Sequence, residues 1–83
     1  MNENTSLFKV NDVDAELARI TLNEVYQALE ERGYNPINQI VGYLISGDPG
    51  YISSYKDARI KIQEIDRAKL VEILLLEFRR NIK

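Results

Sequence analysis

Ile37, Ile40, Val41, Leu44 and Ile45 recur at i, i+3, i+4, i+7 and i+8, and the run is punctuated at both ends. That spacing lays all five on one stripe of an α-helix and does not suit a strand, whose faces alternate every second residue. Asn35-Pro36 ahead of it reads as N-cap and first helical position. The Asn side chain can accept from an orphaned backbone amide, and Pro has no N–H to leave unpaired there. Ser46-Gly47 closes the helix. Gly42 inside it costs about 1 kcal/mol against Ala, which predicts another backbone packed closely against that position.

Helical spacing extends in both directions. From Asp12 or Asp14 onward, Leu17, Ile20, Val25, Ala28 and Leu29 line one face with Leu22 beside Val25, and Glu16, Arg19, Asn23, Glu30 and Glu31 take the other. Gly33 is the natural left-handed residue to end this helix. After the central helix, Asp48-Pro49-Gly50 is a turn or the first residues of a very short helix. Ser53 or Ser54 caps a further helix carrying Tyr55, Ala58, Ile62 and Ile65, and Asp66 caps a last one running to about Asn81. Residues 1–11 hold no sustained period and read as a flexible N-terminal tail, within which Leu7-Phe8-Lys9-Val10 is a short patch able to dock in extended form. No segment alternates with period two. The expected fold is all-α: a tail over 1–11, then a single domain over 12–83 built as a compact bundle of four to five short helices.

With 83 residues there is room for one domain only, and 26 of them are Leu, Ile, Val or Phe, enough to keep the chain out of the disordered class. The chain has no Cys and no His. Disulfides and thiolate metal sites are therefore impossible, and the commonest general base and metal ligand are both missing. The longest uninterrupted apolar run, Ile73–Leu76, is far too short to span a bilayer, and the opening Met-Asn-Glu-Asn-Thr is not a signal peptide. The expectation is a cytoplasmic protein, not inserted in a membrane, with no catalytic residue, no metal and no cofactor.

The net charge of −2 is unevenly spread: residues 1–34 carry three cations against seven anions, and residues 53–83 carry eight against five. An acidic front and a basic back suit complementarity within the chain or between subunits better than a nucleic-acid footprint. Within the basic part, Lys56, Arg59 and Arg67 are the candidate partner- or anion-binding residues, with Lys61 nearby. The last helix is apolar nearly all round, and a terminal helix on so small a monomer cannot bury every side. Leu70, Ile73, Leu74, Leu75 and Phe78 are accordingly the expected interface of a homodimer. Thr5, an accessible hydroxyl three residues before Phe8, is a candidate kinase target.

Other motifs are better explained by structure. Ser53-Ser54-Tyr55-Lys56 spells S-x-x-K without the companion motifs that acyl-enzyme chemistry needs, so a helix-capping serine is the reading adopted. Asp12/Asp14 and Glu30/Glu31 fit neither a calcium loop nor a two-carboxylate active site. Helix, turn around Gly33 and helix could form a helix-turn-helix, the alternative being a small DNA-binding transcriptional regulator. Residues 36–47, however, contain no Lys or Arg to meet phosphates and only Asn38 and Gln39 to meet bases.

The run from Gly33 to Pro49, GYNPINQIVGYLISGDP, followed by Tyr51-Ile52 and Lys56-Asp57-Ala58-Arg59, resembles the IreB family of small regulatory phosphoproteins of Gram-positive bacteria. The tail agrees, with Thr5 and Phe8 where the family carries a threonine shortly before an aromatic, and so does Arg67 in place of the family's Glu-Arg-Asp stretch. The resemblance implies an all-helical homodimer without catalytic activity. It also implies phosphorylation of Thr5 by a PASTA-type Ser/Thr kinase and reversal by its cognate phosphatase. The implied output is cell-wall synthesis, through Clp protease-linked regulatory proteins that govern an early peptidoglycan-precursor enzyme. Arg59 and Arg67 match basic positions of the family. Ser53-Ser54 and Gln63-Glu64 stand where it often has Pro-Arg and Arg-Arg, so the basic patch is thinner here, and Asn2 replaces a second tail threonine.

Overall fold

A computed structural model describes residues 12–82, and every regular element among them is helical. The helices are α1 (Asp12–Glu31), α2 (Pro36–Ser46), α3 (Ala58–Ile62) and α4 (Arg67–Arg80), with 3-10 turns at Pro49–Tyr51 and Tyr55–Asp57 between α2 and α3. The all-α expectation holds. The tail, including Thr5, lies outside the described residues.

The local punctuation acts as the residue chemistry requires. Gly33 takes φ +87°, and the amides of Gly33 and Tyr34 donate to the carbonyls of Glu30 and Leu29 at 3.0 Å, closing α1 in a Schellman arrangement. Asn35 Oδ1 accepts from the Asn38 amide at 3.1 Å with Pro36 at the first helical position. Gly47 at φ +78° ends α2, its amide donating to Tyr43 O at 2.7 Å. Asp48 Oδ1 then accepts from the Gly50 amide at 2.8 Å, which makes Pro49–Tyr51 the short helix that was one of two expected outcomes.

The core sits where α1, α2, α3 and α4 meet: Val25, Ala28 and Leu29 of α1, Ile40 and Tyr43 of α2, Ile52, Ala58 and Ile62, and Leu70 of α4. A second, smaller cluster places Ile73 against Ala15 and Ala18, with Leu22 and Ile65 joining both. The buried face of α1 thus differs from the expected one. Leu17 and Ile20 are exposed, and Ala15 and Ala18 are buried in their stead. Two alanines one turn apart let α4 approach the α1 backbone closely, and hydropathy ranks them below the leucine and isoleucine beside them.

Gly42 shows a second difference. Its close neighbour is not a backbone but the Tyr51 ring: a Cβ at position 42 would overlap Tyr51 Cδ1. Gly42→Ala should therefore lower stability by roughly 1–3 kcal/mol despite alanine's better helix propensity, because the ring must leave its seat. Thermal unfolding of Gly42→Ala, Tyr51→Ala and the double variant checks this. The double variant should recover much of the loss attributable to the clash.

The segment expected as one helix from Ser53 is broken. Ser53 Oγ accepts from the Tyr55 amide at 3.1 Å, and Lys56 and Asp57 then take φ +50° and +62°, two left-handed residues in a row. Helix α3 starts only at Ala58 and runs five residues. The reversal lets Ala58 and Ile62 enter the core fully while Tyr55 packs against its edge.

Candidate functional site

The three candidate cations all brace the stretch between α2 and α4. Lys56 Nζ donates to Glu31 Oε1 at 2.8 Å, and its ammonium and the Arg32 guanidinium lie 5.6 and 5.2 Å from the centroid of the Tyr55 ring. That carboxylate holds the Lys56 pKa above its ordinary value of 10.5, chiefly through the hydrogen bond. Arg59 Nε donates to Ile52 O at 2.8 Å, fixing the backbone of a fully buried core residue. Arg67 Nη1 donates to Leu44 O at 3.0 Å, satisfying a carbonyl at the C-terminal end of α2 where a cation also complements the helix dipole. The three share no partner. Each guanidinium donates one bond to a carbonyl of the fold and has five N–H groups, so Arg59 and Arg67 retain donors for a ligand.

The acidic front and basic back do meet within the chain. Besides Lys56–Glu31, Lys61 Nζ stands 3.5 Å from Glu24 Oε1, so α3 and the turn before it are ion-paired to the outer edge of α1. At the other side of α1, Arg19 Nε binds Glu77 Oε2, and Arg80 Nη1 lies 3.5 Å from the same oxygen. The Arg19 guanidinium lowers the Glu77 carboxyl from its ordinary 4.5. Its stabilising contribution is present above that value and is lost as pH falls through the depressed one.

The expected dimer interface divides in two. Leu70 and Ile73 are 0% and 1% exposed, consumed by the protomer's own core, and are withdrawn from the interface on that ground. Leu74, Leu75 and Phe78 are exposed, and Val71 joins them on one side of α4. Next to Leu74 an entirely apolar groove runs between α1, α2 and α4, lined by Leu22, Tyr26, Ile37, Ile40, Val41 and Leu44.

The α2 part of this surface was not foreseen. The five-residue stripe splits: Ile40 is buried together with Pro36 and Tyr43, whereas Ile37, Val41 and Ile45 are exposed, Ile45 to 80%. The signal was available. Pro36, Ile40 and Tyr43 follow i, i+4 and i+7, and Ile37, Val41 and Ile45 form a second run displaced by one residue, so α2 is apolar on two sides.

Chemistry of other kinds finds little footing. Gln39 Oε1 accepts from the Ser53 amide at 2.9 Å, and the outer face of α2 is aliphatic, unlike a helix that reads DNA. Among the described residues no group of three or more Asp or Glu side chains is placed to hold a metal, and no helix is long and apolar enough to cross a membrane. What these residues offer is an apolar face and three cations, Arg59 and Arg67 each held by a backbone carbonyl and Lys56 by Glu31. Residues 3–79 match the family model described as IreB regulatory phosphoprotein.

Proposed function

The chain belongs to the IreB regulatory phosphoprotein family, and from that premise we propose that it is a non-catalytic switch acting downstream of a PASTA-type Ser/Thr kinase and its phosphatase. In this reading it is a cytoplasmic homodimer, Thr5 is the phosphoacceptor, and the output is control of peptidoglycan synthesis through Clp-dependent proteolysis of an early precursor enzyme. The observation that carries the dimer is the continuous apolar surface formed by Val71, Leu74, Leu75 and Phe78 of α4 and the groove beside Leu74. A surface of this kind on a small chain is what a second copy covers. Lys56, Arg59 and Arg67 are the docking point for an acidic protein partner linked to the protease. They are held rigidly by Glu31, Ile52 O and Leu44 O, so little side-chain order is lost on binding.

Phosphorylation adds about −1.5 to −2 charges at Thr5. Incubation of the chain with a PASTA-type kinase, followed by mass spectrometry, should find phosphate on Thr5, and the two forms should capture different amounts of partner from cell extract. Phosphate confined to Thr21, Ser46, Ser53 or Ser54 would refute the mechanism.

A further inference from the structure

Lys56 and Asp57 stand side by side in the left-handed region, at φ +50° and +62° with ψ +35° and +23°. Residues with a Cβ visit that region uncommonly and as a rule singly, so a consecutive pair is held there against local preference. The local sequence favours something else. Ser54-Tyr55-Lys56-Asp57 has the S-x-x-D spacing of a capping box ahead of the apolar Ala58, Ile60 and Ile62, which is how a right-handed helix begins. In the structure neither half of that box is used: neither Ser54 nor Asp57 caps a helix with its side chain.

Contacts from another element secure the left-handed form. Lys56 Nζ donates to Glu31 Oε1 at the end of α1, at 2.8 Å. The Tyr55 ring packs against the edge of the core, with the Arg32 guanidinium and the Lys56 ammonium 5.2 and 5.6 Å from its centroid. Only two backbone amides tie the turn locally, Tyr55 donating to Ser53 Oγ at 3.1 Å and Asp57 to Ser54 O at 3.0 Å. Local preference and tertiary contact therefore pull one short segment in opposite directions, as in elements built with two states.

We propose that residues 54–57 are a hinge with two forms: the left-handed turn latched by Glu31, and a right-handed first turn of α3 capped by Ser54 and Asp57. Ile52 and Ala58 are fully buried and stay in place in both forms, while half-buried Ser53 and exposed Ser54 absorb the rotation between them. Conversion parts Lys56 from Glu31 and lifts Tyr55 from the core edge. Arg59, next to the fixed Ala58, keeps its bond to Ile52 O. The latched form is the one that holds Lys56 rigid for a partner, and conversion withdraws that cation while leaving Arg59. This consequence rests on the reading of the cations as a docking point; the hinge itself does not.

The test is NMR of the full chain and three variants. In Glu31→Gln the latch is weakened, and the right-handed population should rise by up to about fivefold, the worth of an exposed ion pair. It is read as μs–ms relaxation dispersion at the amides of residues 54–58, with Cα shifts of 55–57 moving toward helical values. Adding Ser54→Ala removes a cap that only the right-handed form uses, and should cut that population roughly fivefold. Adding Asp57→Gly instead should restore the left-handed turn, because glycine adopts it without strain. Unmoved shifts and no dispersion in Glu31→Gln overturn the hinge. So does exchange that persists unchanged in both double variants, which is fraying of the turn and not a second form. No partner enters the measurement, so a failure of the docking reading leaves these outcomes as they are.

Discussion

Leu75→Asp should turn a particle sedimenting at about twice 9.6 kDa into one of 9.6 kDa with its helix content unchanged. Leu75 is 61% exposed in the protomer, so a carboxylate there meets water and costs the isolated fold almost nothing. In a two-fold dimer through this face the same carboxylate is buried, unpaired, and present twice. At about 2–3 kcal/mol or more for each, the association constant should fall at least roughly a thousandfold. Leu70→Asp is the contrasting variant. Leu70 is fully buried, so its replacement should abolish the helical circular dichroism itself. A dimer that survives Leu75→Asp, or an unmutated chain that sediments at 9.6 kDa while folded, would show that the apolar face has another use.

The second large effect is expected at Ile52. This residue stands outside the α-helices yet is fully buried among Val25, Leu29, Ile40, Tyr43 and Ile62. The peptide group that follows it is held at both ends, by Arg59 at the Ile52 carbonyl and by Gln39 at the Ser53 amide. Those bonds keep the strand of chain in place after truncation, so the cavity cannot collapse easily. Ile52→Ala should therefore cost about 3–5 kcal/mol, near the top of its range. For a domain this small that approaches the whole margin of stability. Chemical denaturation should show a midpoint lowered by more than half, or a chain already unfolded without denaturant. A loss below 1 kcal/mol would mean that the loop yields and that Arg59 does not clamp it.

The parts of this fold that could be read from the sequence are those decided by neighbours in the chain. Gly33, Asn35-Pro36 and Gly47 mark helix ends because caps and left-handed closures involve only a few consecutive residues. The misreadings occur where a distant segment decides. Leu17 against Ala18 is a choice made by the approach of α4, and hydropathy points to the wrong residue. Lys56 and Asp57 carry no Gly or Asn to announce their left-handed backbone; the conformation is imposed by the burial of Ala58 and Ile62 and by Glu31 across the gap. The site was legible in outline for the same reason. The cations and the surplus of leucine on α4 are visible in composition, whereas the split of that helix into Leu70 and Ile73 inside and Leu74, Leu75 and Phe78 outside depends on where α1 lies.

A Cβ at Gly47 would come within 2.8 Å of Arg67 Cζ, at a position whose φ already disfavours any L side chain. The guanidinium thus occupies the space that an ordinary residue would need, and it feeds a carbonyl of the helix that Gly47 terminates. The two positions are physically coupled. A lineage that loses the arginine opens room at 47 but leaves Leu44 O without its donor, and a lineage that changes the glycine first must displace the arginine in the same step. The guanidinium is the mobile end of a flexible side chain and can swing away, so the cost of any other residue at 47 comes chiefly from its φ of +78°, and loss of the Leu44 O bond is the cost on the arginine side.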